Sequence, residues 1–214
     1  MIESAIGIIL RTRLLTDTSL IVHWLTPAFG RIATVAKGAR RPKSPFAGKL
    51  DLFYLCDLSF SRSRRSDLHT LREAVVRDSQ PALRRDLARL RQATYAAALI
   101  EQTTETETAL AGIFGLLSDL LAYLPQQPVQ ARSVFAFELK LLRELGLQPD
   151  AADTKLQPAT RGLLAALLGT DWTGLAKLQA DASQVRDLRQ FLHGFLIYHL
   201  GRIPAGRANA LTCG

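Results

Sequence analysis

Six cations fall within the twenty residues 30–49 (GRIATVAKGARRPKSPFAGK): Arg31, Lys37, Arg40, Arg41, Lys43 and Lys49, with no acidic residue among them. The chemistry open to such a run is electrostatic. Like charges this close repel one another, so the stretch is settled by a polyanion or by salt. Pro42 and Pro45 fix φ and remove two backbone donors, while Gly38 and Gly48 permit tight turns. The stretch reads as a semi-stiff cationic loop shaped to lie along nucleic-acid phosphates. A second run, Arg62, Arg64 and Arg65, follows on SRSRRSD, and Arg72 comes shortly after. A single charge run is more simply a solvated loop with counterions. The missing acidic partner and the recurrence within one small region favour nucleic acid over that reading.

Other chemistries find less support. GARRPKS at 38–44 ends in Lys-Ser, as a phosphate-binding loop does, but Pro42 stands where the second glycine belongs and the spacing is one residue short. A proline there also removes an N–H that a phosphate cradle would use. His193 and His199 lie about 240° apart around a helix and cannot share a metal from one face. His23 and His69 fall in strands, where structural histidines are the usual case. Glu101, Glu105 and Glu107 cluster at a helix junction, and a solvated helix end explains them more simply than acid–base catalysis. With two cysteines, Cys56 in an apolar strand and Cys213 near the end, neither a disulfide framework nor a metal site is expected. The sequence therefore predicts no enzyme, no catalytic residue and no cofactor.

The elements that carry these residues change character near residue 80. The chain has 214 residues, 48% hydrophobic, with 27 Lys plus Arg against 19 Asp plus Glu. On size alone, roughly 70% of the unfolded surface should be buried. Residues 1–80 hold 13 basic and 7 acidic side chains, whereas 81–214 hold 14 and 12, so the excess charge sits in the first third. Five short strands are predicted there, at 3–13, 18–26, 31–37, 51–60 and 69–75, separated by turn signals. The fourth is apolar on both faces, so both sides of it should be covered. Such a series suggests a small closed barrel whose loops converge on a groove. Phe53 reads as barrel core, while Phe46 is open between core and base stacking.

From Pro81 the apolar spacing becomes helical, with Ser79 as a possible cap. Further helices are expected at about 107–123, 130–145, 160–168 and about 183–200, with Gly146 ending the third and a loose tail from about 201. The predicted class is α+β: a barrel domain at 1–80 followed by a helical bundle at 81–214. No signal-like segment and no run of about 18 apolar residues is seen, which leads to an expectation of a cytoplasmic protein with no membrane contact.

Several stretches are similar to one known family. GIILRTRLLTDTSLIVHWLTPAFGRIATVAKGARRPKSPFAGKLDLF, with Gly30-Arg31 between two strands, the run 35–40 (VAKGAR), and Gly48 and Leu50, resembles the N-terminal domain of the RecO family of bacterial recombination mediators. Residues 137–146 (FELKLLRELG) resemble that family's FELxLLxxLG helix end. The resemblance implies an OB-fold barrel followed by a helical domain, and a nucleoid-associated role in DNA repair and recombination by the RecFOR pathway. It also implies binding of single- and double-stranded DNA and annealing of complementary strands without ATP. Recombinase would be loaded with a RecR partner onto DNA coated by single-strand-binding protein. Many members carry a four-cysteine zinc site after the Leu-Gly helix end; 147–159 contains no cysteine, so no zinc is expected.

On this reading the DNA-binding residues are Arg31, Lys37, Arg40, Arg41, Lys43, Lys49, Arg62, Arg64, Arg65 and Arg72. The acidic C-terminal tail of single-strand-binding protein would meet Arg132, Lys140 and Arg143 on the Phe-rich third helix. The plainer alternative for these three is a helix that buries Phe135 and Leu139 and exposes its charges. Two other functions remain open from the sequence: an RNA-binding OB module, and an adaptor whose basic loop meets an acidic protein.

Overall fold

Alternation of β-branched and aromatic residues with polar ones produces five strands: β1 (Ile2–Leu14), β2 (Leu20–Thr26), β3 (Gly30–Ala36), β4 (Leu55–Ser61) and β5 (Leu68–Asp78). They form a closed barrel in the order β1-β2-β3-β5-β4. The computed structural model describes residues 1–150, 152 and 155–212. Strand β1 serves two ladders. Its first half pairs with β4, from Ile2↔Ser61 to Ile8↔Leu55, and its second half pairs with β2, from Ile8↔Leu25 to Leu14↔Leu20. Gly7 sits where β1 passes between the two, and a Cβ there would lie 3.0 Å from Leu58 and 3.3 Å from Trp24. The barrel closes through a short parallel ladder, Ala33↔Leu68 to Val35↔Thr70.

Inside are Ile9, Val22, Trp24, Ile32, Cys56, Leu58, Phe60 and Leu71. The Trp24 indole N–H donates to Thr34 Oγ1 at 2.9 Å, so the largest core side chain leaves no polar atom unpaired. Burial, with Asp57 beside it, pushes the Cys56 thiol up to about 11, and it behaves as a small hydrophobe.

The fourth strand departs from expectation. Residues 51–54 form a turn, and β4 starts at Leu55 with strict alternation, Cys56, Leu58 and Phe60 pointing inward. Nothing therefore has to cover both of its faces. Phe53, the core residue expected, is fully buried in a left-handed conformation (φ 63°), and its N–H donates to Ile9 O at 2.8 Å.

The chain divides into two compact units. The first comprises Met1–Pro81 and Thr104–Gly115, and the second comprises Ala82–Thr103 and Leu116–Gly214. Segment 104–110 lies along the part of β3 that β5 leaves uncovered. The Glu107 N–H donates to Arg31 O at 3.0 Å, the Leu110 N–H donates to Pro27 O at 3.2 Å, and Arg31 and Thr106 form a parallel bridge.

The second unit is helical: α1 (Leu87–Thr103), the later part of α2 (Ala111–Tyr123), α3 (Ala131–Glu144), α4 (Pro158–Gly169), α5 (Trp172–Leu175), α6 (Ala182–Leu200) and α7 (Arg207–Leu211). The first helix begins later than Pro81. Leu83–Arg85 is one 3-10 turn, and the Asp86 carboxylate, not Ser79, accepts the N–H groups of Ala88 and Arg89. Gly146 ends α3 as expected, with φ 71° and a Leu147 N–H bond to Leu142 O at 2.8 Å.

Over the described residues 201–212 the expected loose tail is not observed. Helix α7 packs on α1 and α3, and Arg207 bonds both carboxylate oxygens of Glu138, at 2.6 and 2.9 Å. The Tyr95 hydroxyl also donates to Glu138, at 2.6 Å. Helix α3 is surrounded along most of its length, so the charges it buries, Glu138 and Lys140, must find partners inside. Cys213 lies outside the described residues. Among the described residues no helix is long and apolar enough to cross a membrane, and no group of His, Cys, Asp or Glu is placed to hold a metal ion.

Candidate nucleic-acid interface

The basic loop leaves the end of β3 and is built as a chain of turns. Arg41 N bonds Gly38 O, Ser44 N bonds Arg41 O, Ala47 N bonds Ser44 O and Lys49 N bonds Phe46 O, all between 3.0 and 3.2 Å. Gly38 and Gly48 take the positive φ these turns require, 66° and 71°. Phe46 answers the question left open by the sequence. Its ring is buried in the barrel core, so it anchors the loop and is not free to stack on bases. A second anchor is the 15–19 turn. Arg40 N donates to Thr18 O at 3.0 Å, Arg40 Nη1 to Asp17 O at 3.1 Å, and Gly38 N to Ser19 Oγ at 3.3 Å.

Around this frame Lys37, Arg40, Arg41 and Lys43 are exposed and Lys49 is half-buried. The side chains of Lys37, Arg41, Lys43 and Lys49 make no hydrogen bond or ion pair among the described residues. A backbone fixed by turns and a buried ring thus carries cations whose charge is available to an outside anion.

The second basic run is elsewhere. Because β5 runs parallel to β3, with Leu68 opposite Ala33, the β4–β5 tip at 62–67 lies at the Gly30–Arg31 end of β3. The basic loop lies at the Ala36 end. The expected convergence on one groove is therefore replaced by two basic ends separated by β3, whose seven residues span roughly 20 Å. At the tip, Arg62, Arg64 and Arg65 are exposed, Arg62 is paired with Glu107, and Arg72 donates to Ser61 Oγ at 2.7 Å. Arg31 is half-buried, and its guanidinium bonds both the hydroxyl and the carbonyl of Thr104. It braces the 104–110 segment.

Two cations not singled out in the sequence lie between these ends. Arg11 pairs across the sheet with His23, and His23 with Ala33; Arg13 pairs with Ile21, and Ile21 with Val35. Arg11 and Arg13 thus share one face with His23. Their spacing of two along a strand was the available signal. Burial first, then the fields of Arg11, Arg13 and Arg31, lowers His23 to about 4, so it is a neutral spacer among cations near pH 7.

On the helical unit the three expected partner residues are spread out. Lys140 is buried, with Nζ bonded to Thr170 O at 2.6 Å and lying 5.9 Å from the Trp172 ring centre. Arg143 is exposed and donates to Leu168 O at 3.1 Å. Arg132 donates to Leu178 O and lines a cleft of about 630 Å³ with Ala131, Lys177, Leu178, Ala180 and Val185.

A closed five-stranded barrel carrying cationic loops, followed by a helical unit, is matched by two family models. Recombination protein O N terminal matches residues 1–80, and Recombination protein O C terminal matches 84–154 and 150–207. The chain belongs to the RecO family. Its barrel is the OB-fold domain of that family. The chain is 33% identical to the DNA repair protein RecO of Rhodopirellula baltica, over 67% of this chain and 53% of that protein. It is 30% identical to the DNA repair protein RecO of Anaeromyxobacter dehalogenans strain 2CP-C, over 94% of this chain and 92% of the other. With the protein of the same name from Alkaliphilus metalliredigens the identity is 26%, over 92% and 93%. The zinc site of many RecO proteins does not fit here, since 147–159 offers no thiolate; Ala151, Asp153 and Thr154 lie outside the described residues.

Proposed function

We propose that this RecO-family chain is a DNA-binding recombination mediator that holds single- and double-stranded DNA on its barrel and anneals complementary strands without ATP. The observation that carries this is the anchored basic loop: Lys37, Arg40, Arg41 and Lys43 stand exposed on a backbone pinned by Phe46 and the 15–19 turn. Neutralising phosphates on two strands removes the repulsion that slows their encounter, so annealing needs a cationic surface and no bond chemistry. Arg11 and Arg13 bridge the two basic ends, and a strand laid along β3 would meet cations at both.

The remaining steps are assigned by likeness to the family: loading of recombinase with RecR onto DNA covered by single-strand-binding protein, in the cytoplasm at the nucleoid. An acidic, apolar protein tail needs an apolar cleft with a cationic rim. Of the three candidate rim residues, Arg132 lines a cleft together with Lys177, beside the apolar side chains of Leu178 and Val185.

The test is strand annealing in the absence of nucleotide, with and without single-strand-binding protein, for the wild type and for a variant with Arg40, Arg41 and Lys43 replaced by Ala. Annealing that is unchanged in the variant would overturn the assignment. Tighter binding to RNA than to DNA of the same sequence at fixed salt would favour an RNA-binding module instead.

A further inference from the structure

The β4–β5 tip carries an anion position that the chain itself fills. The Glu107 carboxylate uses both oxygens on the barrel: Oε2 pairs with Arg62 Nη2, and Oε1 lies 3.2 Å from His69 Nε2. His69 is buried against Phe60, ring on ring at 5.2 Å and 8°. Its Nδ1 accepts the Ser63 N–H at 3.4 Å, which places the proton of the neutral ring on Nε2, facing the carboxylate. That contact is not well aligned as a hydrogen bond, so Arg62 supplies the main attraction.

Glu107 is held there by its backbone. It adopts φ 59°, a left-handed conformation uncommon for a side chain of this size, and its N–H donates to Arg31 O. The segment has further bonds that do not involve the carboxylate, from Leu110 to Pro27 and from Arg31 to Thr104. The side chain can therefore leave Arg62 by changing rotamer while its backbone stays in place. The pair is also accessible, with 40% of the Arg62 side chain and 30% of the Glu107 side chain exposed. Exposed pairs of this kind are weak and yield to a competing anion.

We propose that Glu107 occupies a phosphate-binding position of the barrel in cis, and that DNA takes Arg62 only by exchanging a phosphodiester for this carboxylate. The inference rests on the DNA-binding reading above. The exchange makes the tip selective, because an anion must out-compete a tethered carboxylate before Arg62 contributes. Arg64 and Arg65, exposed and with guanidinium groups that make no hydrogen bond or ion pair among the described residues, would make first contact and raise the local phosphate concentration.

The experiment is fluorescence anisotropy with a dye-labelled single-stranded oligothymidylate across a salt series, on wild type, Glu107→Gln, Arg62→Ala and the double variant. Glu107→Gln should tighten binding about three- to fivefold at low salt and steepen the log–log salt slope by about 0.7. In the Arg62→Ala background the same change should give no gain. Glu107→Asn, which tolerates positive φ well, gives a second uncharged variant should Gln disturb the segment. A wild type that binds, with no gain in either variant, overturns the inference alone. An equal gain with and without Arg62 also overturns it, because Glu107 would then act only through net charge. A wild type that binds no oligonucleotide overturns the DNA-binding reading itself.

Discussion

A Cβ on residue 30 would lie 1.7 Å from the carbonyl oxygen of Thr108, 78 positions later in the chain, so the left-handed turn at Gly30 (φ 60°) is also the seat of the 104–110 segment. Both the conformation and the space exclude a side chain. Gly30→Ala should therefore displace the segment as well as strain the turn, at a cost of about 2 kcal/mol or more. Thermal melting measures the loss, and hydrogen exchange at the Glu107 and Leu110 amides should accelerate.

Salt dependence should count the loop. If about six phosphates are neutralised, the log–log slope for single-stranded DNA is near −4, and replacing Arg40, Arg41 and Lys43 by Ala should flatten it by roughly two units. Arg11→Ala and Arg13→Ala should weaken binding in the same sequence-independent way. Titrations from about 50 to 200 mM salt on two unrelated oligonucleotide sequences check both expectations.

Arg207 should matter to folding out of proportion to its place in a terminal helix. Glu138 is fully buried, and it is held by Arg207 and the Tyr95 hydroxyl. Arg207→Ala leaves a carboxylate buried with one donor and should cost about 3–5 kcal/mol. Tyr95→Phe removes one charge-assisted bond and should cost about 1.5–3 kcal/mol. Urea denaturation of each variant tests the order.

His23 should make the barrel acid-sensitive. Its pKa falls from 6.5 to about 4 on folding, so between those values the unfolded chain binds a proton that the folded chain does not. Stability from this group is full above pH 6.5 and is lost as pH falls toward 4. Carboxylates titrate in the same range, so the readout is a difference. Between pH 7 and pH 4 the wild type should lose about 5 °C more in Tm than His23→Gln. DNA held on this face would oppose the loss, since a nearby phosphate favours the imidazolium.

Much of the barrel was legible because strands announce themselves at period two, as Cys56, Leu58 and Phe60 do in β4. Phe53 misled the strand boundary. It is apolar and next to a strand, yet its positive φ belongs to a turn, and hydropathy carries no φ. The basic loop could be read from composition, but its relation to the 62–65 tip could not. Which end of a barrel a loop occupies depends on strand direction, and that follows here from the parallel pairing of Ala33 with Leu68. Glu107 and Glu138 were hidden for a shared reason. Each looks like an ordinary helix-associated charge, because its partner lies 45 or 69 residues away. Arg207 was missed for the same cause: a glycine-flanked terminus reads as loose until its guanidinium is seen to be the counter-charge of a buried acid.

The 104–110 segment bears on how the barrel could be studied by itself. A fragment ended at residue 80 would keep all five strands yet strip the Gly30 end of β3, baring the Arg31 and Pro27 carbonyls and freeing the Arg62 guanidinium together. The first change offers unpaired backbone to a neighbouring copy, and the second adds a cation that is masked in the intact chain. Such a fragment would self-associate and grip nucleic acid harder than its parent, so its affinity would overstate that of the whole protein.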